Sequence, residues 1–314
     1  MSLTFAPDAL LPHLHHFRSL DHVHTLIMEE FDFLRWTSHY QTCFTHFYPT
    51  LTSLTLSRCV DYDILLPRFV LQFTHLENLC IGWVWRIGLL PPPNSTVAVN
   101  QPPPLCGHLR LAGRHSLPQL ATYFAHELLT AVKFRSVELE DFHGALVQPI
   151  LNARAYALER LTIIPSSTGM HQLLFPSVSM AKLPPNFPLA GERELKDLSF
   201  RGLTTLHRLT LRSTSCYDVL TLEHSMLSRT LSAVQPPLFC ELVFEVLGHS
   251  PQQRFYFDSS TWMGIDMFLG ERCAEREDCR LIFRMEEVNG REIFPRHITN
   301  RFPRLQERGR IHFK

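Results

Sequence analysis

A six-residue hydrophobic pattern recurs along the chain. Apolar side chains occupy its first, fourth and sixth positions, and mostly polar side chains lie between them, as in Leu51-Thr-Ser-Leu54-Thr-Leu56. Successive side chains of a strand point to opposite faces, so the alternation over the last positions predicts a short strand with one buried face. We call this pattern the repeat motif. Its copies start at residues 23, 51, 76, 106, 134, 158, 195, 206 and 239.

The spacing of the repeat motif predicts how the strands are arranged. The first six copies start 24 to 30 residues apart, close to the period of about 20–29 residues of leucine-rich repeats. Between copies, apolar residues recur at helical spacing, for example Phe124, Leu128 and Val132. One such unit cannot bury its apolar edge alone, so the units must stack. The sequence therefore predicts an α/β fold, an irregular leucine-rich-repeat solenoid (horseshoe) with a parallel concave sheet and helices on the convex side.

The array is irregular. The copies at 195 and 206 start only 11 residues apart, too close for a strand and a helix, so either residues 195–200 are not a strand or that unit has lost its helix. Proline-rich stretches without helical spacing predict exposed loop insertions. The predicted regions are an N-terminal capping helix at 1–22, a leucine-rich-repeat array at 23–285 with insertions at about 88–104 and 175–192, and a C-terminal basic cap at 286–314.

The composition and the apolar runs argue against a nucleic-acid-binding, membrane-spanning or secreted protein. Thirty Lys and Arg balance thirty Asp and Glu, so the chain lacks the overall basic excess of many nucleic-acid-binding domains. No apolar run reaches the ~18 residues of a membrane span, and the N-terminus has no secretory signal pattern. The eight cysteines are scattered and predict reduced thiols. We therefore expect a cytoplasmic or nuclear protein that does not bind membranes.

Candidate chemical sites are few. His13 and His16 could share a helix face but have no cysteine partner nearby, and in His126-Glu-Leu-Leu-Thr130 the second histidine of a zinc-protease helix is replaced by threonine. Cys273 and Cys279 have no histidine close in sequence. The chain contains no glycine-rich phosphate loop and no Gly-x-Ser-x-Gly motif. We therefore expect no catalytic residue, no cofactor and no metal site, and a protein that is not an enzyme.

The third, fifth and seventh positions, counted from the start of each motif, should share the concave surface, which we call the strand face. From residue 106 on, this face is charged, with signs that alternate in the order Arg160, Asp197, Arg208, Glu241. Two interpretations stay open: a ladder of cross-strand ion pairs, and a polar surface that binds a protein partner. The predicted partner-binding residues are Arg110, Glu138, Glu140, Arg160, Asp197, Arg208, Arg212, Glu241 and Glu245.

The C-terminal segment is locally basic. From residue 290 on, seven Lys and Arg stand against two Glu. This excess predicts either a patch for an anionic partner, nucleic acid included, or a terminal cap in which arginine stems cover an apolar stripe.

Four segments resemble one protein family. Residues 105–113, 134–142, 265–276 and 302–313 are similar to stretches of fungal, mushroom-type F-box/leucine-rich-repeat-like proteins, and the resemblance extends over roughly residues 10–314. In such proteins an F-box binds the linker subunit of a cullin-type ubiquitin ligase, and the repeats hold the substrate. Before the first repeat this chain has only the short segment LLPHLHHF at 10–17, without a recognisable F-box.

The resemblance implies a non-catalytic protein-recognition module, the substrate-recognition part of a ubiquitin-ligase adaptor. The ligase linker subunit is an expected partner only if an F-box lies upstream. The alternatives are a free-standing scaffold or a decayed F-box relative. A nucleic-acid-binding protein and a hydrolase are further alternatives with less support in the sequence.

Overall fold

The structure is a computed structural model, and the chain forms two compact units, Met1–Glu138 and Leu139–Lys314. Each unit is described by itself. The residues that the structure describes are 2–5, 22–33, 44–62, 65–82, 85–87, 107–112, 134–140, 148, 151–152, 157–164, 200, 202–213, 238–246, 259–285 and 299–314.

The first unit is built on parallel strands in chain order. Strands β1, β2, β3, β5 and β7 pair in parallel in that order, β8 lies beside β7, and β4 pairs with β6 in a separate two-stranded sheet. A 3-10 helix (Thr45–Phe47) and a short helix α1 (Leu65–Val70) lie between strands. The strands are β1 (Ser2–Phe5), β2 (Thr25–Glu29), β3 (Ser53–Ser57), β4 (Val60–Tyr62), β5 (Asn78–Gly82), β6 (Trp85–Ile87), β7 (His108–Ala112) and β8 (Ser136–Glu140), which continues into the second unit.

The second unit has the same arrangement. Its strands pair in parallel in chain order, with helix α2 (Ser259–Glu275) before the fourth and helix α3 (Pro303–Glu307) before the fifth. The strands are β9 (Arg160–Ile164), β10 (Arg208–Ser213), β11 (Glu241–Val246), β12 (Arg280–Met285) and β13 (Ile311–Phe313).

The fourth and sixth motif positions form buried rows. In the first unit, Leu26, Leu54, Leu79 and Leu109 are successive register neighbours and are almost inaccessible to solvent. Burial of each such leucine contributes about 1.5–3 kcal/mol, so these rows are the main source of stability. The corresponding rows of the second unit are Leu161, Leu209, Leu242 and Leu281, and Ile163, Leu211, Phe244 and Phe283.

Backbone hydrogen bonds at the second motif position fix the register. The carbonyl of His24 accepts the N–H groups of Thr52 and Ser53 from the next repeat, at 3.0 and 2.9 Å. One carbonyl therefore satisfies two donors at the start of β3, and β2 and β3 begin level with one another. The same two-donor arrangement recurs at the carbonyls of Thr52, Gly107, Glu159 and His207.

Most of the predicted strands are confirmed. Each of the eight motif copies other than the one at 195 contains a strand that begins at its third position. These parallel, chain-ordered strands give each unit the arrangement of an α/β solenoid. Residues 195–199 lie outside the described residues, but β9 pairs directly with β10. The helical segment with Phe124, Leu128 and Val132 and both loop insertions also lie outside the described residues.

Five strands were not predicted, namely β1, β4, β6, β12 and β13. In β12 and β13 the first motif position is Asp278 or Arg308, so the copies lack the apolar residue that defined the motif, although the buried Leu281 and Phe283 keep the fourth and sixth positions. Strand β1 lies within the segment predicted as a capping helix, so Ser2–Phe5 correct that prediction. Residues 6–21 lie outside the described residues, and the rest of that prediction stays a prediction.

Helices α2 and α3 pack closely in the second unit. The buried carboxylate of Asp266 on α2 accepts the backbone N–H groups of Arg304 and Leu305, at 3.2 and 3.1 Å, in the first turn of α3. Gly270 permits this approach, because a Cβ at that position would lie 3.1 Å from the Cβ of Arg304. The contact orients α3 just before β13.

Two cysteines form a disulfide. Cys273 in the last turn of α2 and Cys279 just before β12 are joined, with their Cα atoms 4.9 Å apart. The prediction that all cysteines are reduced thiols is therefore wrong for this pair. The chain reverses tightly between α2 and β12, which brings the two positions within disulfide reach.

Candidate functional site

The strand face of the first unit is mostly uncharged. Its third-position residues, Thr25, Ser53, Asn78, His108 and Ser136, are partly or fully exposed, and neighbours in this row interact, since His108 Nδ1 lies 3.1 Å from the Ser136 hydroxyl. The alternation of buried and exposed positions confirms that the third, fifth and seventh residues share one side of the strands.

An ion pair between β7 and β8 lies on the strand face of the first unit. The guanidinium Nε of Arg110 on β7 lies 3.1 Å from a carboxylate oxygen of Glu138 on β8. Glu138 is buried, with 6% of its surface exposed. This predicted binding residue is therefore the inner member of an ion pair, and Arg110 is the accessible one.

Three neighbouring strands of the second unit carry an ordered set of charges. Each contributes its third and seventh residues: β10 and β12 contribute only arginines, and β11, between them, contributes only glutamates. The sign of the charge is constant along each strand and alternates from strand to strand. We call this set, Arg208, Arg212, Glu241, Glu245, Arg280 and Arg284, the charge ladder.

Glu241 is the most enclosed member of the charge ladder. It is 5% exposed, and its two carboxylate oxygens accept from Arg208 Nε on one side and from Arg280 Nε, at 2.6 Å, on the other. Burial acts to raise the pKa of Glu241. The hydrogen bonds and charges of Arg208 and Arg280 outweigh that effect, so the pKa lies below its ordinary value of 4.5.

Glu245 is held less symmetrically. Arg212 Nε donates to it at 2.7 Å, whereas Arg284 Nη1 lies 3.8 Å from its other oxygen. The arginine side chains of β12 are also the more open ones, with 43% of Arg280 and 37% of Arg284 exposed. The cationic groups of β12 are thus the most accessible in the charge ladder.

The fifth positions between the two charged rows are buried. Thr210, Val243 and Ile282 lie on the strand face but have 6%, 0% and 1% exposure. The charged rows therefore border an apolar stripe. Reduced solvation there strengthens their electrostatic interactions relative to those of fully exposed ions.

The predicted partner-binding residues differ in their contacts and in their exposure to solvent. The structure places Arg110, Glu138, Arg208, Arg212, Glu241 and Glu245 in cross-strand ion pairs, with Arg160 exposed at the start of β9 and Glu140 half-buried at the end of β8. Asp197 lies outside the described residues. The predicted alternation through Asp197 is wrong, because the direct pairing of β9 with β10 makes Arg160 the register neighbour of Arg208.

Arg280 and Arg284 are face residues that the sequence analysis missed. They were overlooked because Asp278 interrupts the repeat motif ahead of β12. A signal was available: Arg280-Leu-Ile-Phe-Arg284 has the same order of charged and apolar positions as Arg208-Leu-Thr-Leu-Arg212.

The C-terminal basic segment has a buried apolar side. Phe302 and Leu305 are inaccessible, while Arg301, Arg304 and Arg308 are exposed. This arrangement matches the terminal-cap interpretation, in which the apolar stripe packs inward and the arginines cover its rim.

Candidate metal ligands do not cluster in the part of the chain that the structure describes. No three His, Cys, Asp or Glu side chains there could hold a metal ion. Burial, followed by the charges of Asp278 and Glu241, raises the pKa of the Cys240 thiol to about 11, so this thiol stays protonated and is a poor nucleophile. Histidines 13 and 16, and residues 126–130, lie outside the described residues.

Comparison with known proteins adds no relative. No family model, curated protein or solved structure matches the chain. Among the described residues, no helix is long and apolar enough to cross a membrane.

Proposed function

We propose that the chain is a non-catalytic protein-recognition module that binds its partner on the strand face. This proposal rests on one observation. Successive strands place polar and charged side chains at the same register positions, so these side chains form continuous rows on the strand face. Stacked parallel strands offer such a surface over many residues, and solenoid proteins use it to bind extended partners. The spacing of the motif supports leucine-rich repeats as the source of this stacking.

The functional context rests on resemblance. The four segments similar to mushroom-type F-box/leucine-rich-repeat-like proteins support a role in substrate recognition for a cullin-type ubiquitin ligase. A free-standing scaffold, or a relative that has lost its F-box, is the main alternative, because the sequence LLPHLHHF at 10–17 does not resemble an F-box. Both versions assign the same role to the strand face.

Bulky substitutions on the strand face test whether the partner binds there. We compare partner capture from a mushroom-type fungal extract by the wild-type chain and by Thr55→Trp and Thr162→Trp, which add bulk at partly exposed face positions of β3 and β9. We expect at least one blocked variant to lose the proteins that the wild type retains. Glu307→Trp is the matched control, because it adds an indole at an exposed position of α3.

The outcomes separate the alternatives. Equal capture by the wild type and both face variants would remove the strand face as the binding surface. If the lost proteins include the ligase linker subunit with its cullin, the adaptor version is supported. A captured partner without those subunits favours the free-standing scaffold.

A further inference from the structure

The second unit presents more positive than negative charge on its strand face. The charge ladder contains four arginines and two glutamates, and Arg160 adds a further exposed cation at the start of β9. The chain as a whole is neutral, so this excess is a local property of the face. A cationic surface attracts an anionic partner.

The two arginines of β12 each have more N–H donors than their contacts with Glu241 and Glu245 use. A guanidinium has five N–H donors in a planar fork. Arg280 donates from Nε to Glu241, and Nη1 of Arg284 lies 3.8 Å from a carboxylate oxygen of Glu245. Since Arg280 and Arg284 are also the most exposed members, β12 is the strand on which a second carboxylate could be accommodated.

The distance between Arg280 and Arg284 along β12 indicates an extended ligand. Arg280 and Arg284 are four residues apart on one side of the strand, which places their Cα atoms about 13 Å apart. An extended peptide that runs along the strand has the same repeat, so its residues i and i+4 would face the two arginines. Residues i and i+3 of such a peptide would point to opposite sides.

The two glutamates disfavour nucleic acid. Glu241 and Glu245 lie between the arginine pairs and would repel a phosphate backbone that crosses the ladder. The charge ladder also spans only three strands, a width of about 10 Å, whereas nucleic-acid sites rely on many distributed phosphate contacts.

We propose that the charge ladder is the docking site for an extended acidic segment of a protein partner, with two carboxylates four residues apart that pair with Arg280 and Arg284. This inference rests on the proposed function, because it names the chemistry of the partner that the strand face binds.

Peptides of equal composition test the proposal. The probes are two fluorescent synthetic peptides, one with glutamates at i and i+4 and one with the same residues rearranged to i and i+3. Anisotropy titrations of the full chain at about 0.15 M salt should give binding about fivefold tighter for the i, i+4 peptide, the ratio expected for one additional exposed ion pair. A single-stranded oligonucleotide is the third probe.

Arginine variants locate the binding site. Arg280→Gln and Arg284→Gln should each weaken binding of the i, i+4 peptide by about fivefold. Arg308→Gln, which removes the same charge from an exposed position after α3, should leave binding unchanged. Thermal unfolding identifies loss of structure. Arg284→Gln remains informative even if Arg280→Gln destabilises the fold. Arg284 lies 3.8 Å from Glu245, whereas Arg280 donates to Glu241 at 2.6 Å, so the loss of Arg284 should disturb the fold less.

Three results would overturn the inference, and a fourth would count against the proposed function. Equal binding of both peptides would mean unspecific attraction, and tighter binding of the oligonucleotide would assign the face to nucleic acid. Absence of peptide binding, together with loss of partner capture by Thr162→Trp, would reject the acidic partner and leave the proposed function standing. Peptide binding that depends on Arg280 and Arg284, with partner capture unaffected by the face variants, would count against the proposed function instead.

Discussion

At the scale of single residues, Glu241 links three strands. Its carboxylate accepts from arginines of β10 and β12 while its own backbone lies in β11. Both oxygens of this buried carboxylate accept from a guanidinium group, so the loss of its charge leaves the two cations facing each other. The ion pairs are therefore present in the structure, and the same residues belong to the partner surface that we propose.

The first prediction concerns Glu241→Gln. We expect a loss of about 1–3 kcal/mol in the free energy of unfolding, since one charged acceptor for two arginines is replaced by a neutral amide. Urea denaturation measures this difference. Glu307→Gln, at an exposed position on α3, should change the stability by less than about 0.5 kcal/mol. An equal effect of both variants would contradict the role of Glu241.

The second prediction concerns pH. Because the pKa of Glu241 is lowered by folding, this residue adds stability at neutral pH, and the contribution is lost as the pH falls from the ordinary value of 4.5 through the lowered pKa. The difference in unfolding free energy between the wild type and Glu241→Gln should therefore shrink on acidification through that window. A difference that stays constant would show that Glu241 is not ionised in the folded protein, or that its pKa is unchanged by folding.

At the scale of elements, the repeat motif predicts the positions of eight strands. Its fourth and sixth positions must be apolar because they form the buried rows, and eight copies contain a strand accordingly. The first position is less strict, since Asp278 and Arg308 precede genuine strands. Strand pairing between repeats also depends on backbone carbonyls such as that of His24, which carry no side-chain signal.

Helix α3 provides the third prediction. Asp266→Ala removes the acceptor for the N–H groups of Arg304 and Leu305, so we expect a loss of about 1–2 kcal/mol in unfolding free energy. Asp266→Asn should lose less, because its amide oxygen can still accept one of these bonds. Hydrogen exchange should show faster exchange in α3 and β13 of the alanine variant. Unaltered exchange there would contradict the capping role.

At the scale of the whole molecule, the sequence was sufficient for the parallel, chain-ordered strands and for much of the charged face. It could not give the order of the charges, because that order depends on which strands are neighbours. Asp197 was expected between Arg160 and Arg208, yet β9 pairs directly with β10. The disulfide between Cys273 and Cys279 was missed for a similar reason, since it depends on the path of the chain after α2.

The central claim is that the strand face recognises a protein partner, and site-specific photo-crosslinking tests it most directly. A benzophenone side chain is placed at Thr55 or Thr162 on the strand face, or at Glu307 on α3, and the chain is irradiated in the extract used for partner capture. The account predicts a covalent adduct with one protein from at least one of positions 55 and 162 and none from position 307. Adducts from position 307 alone, or from none of the three positions, would contradict it.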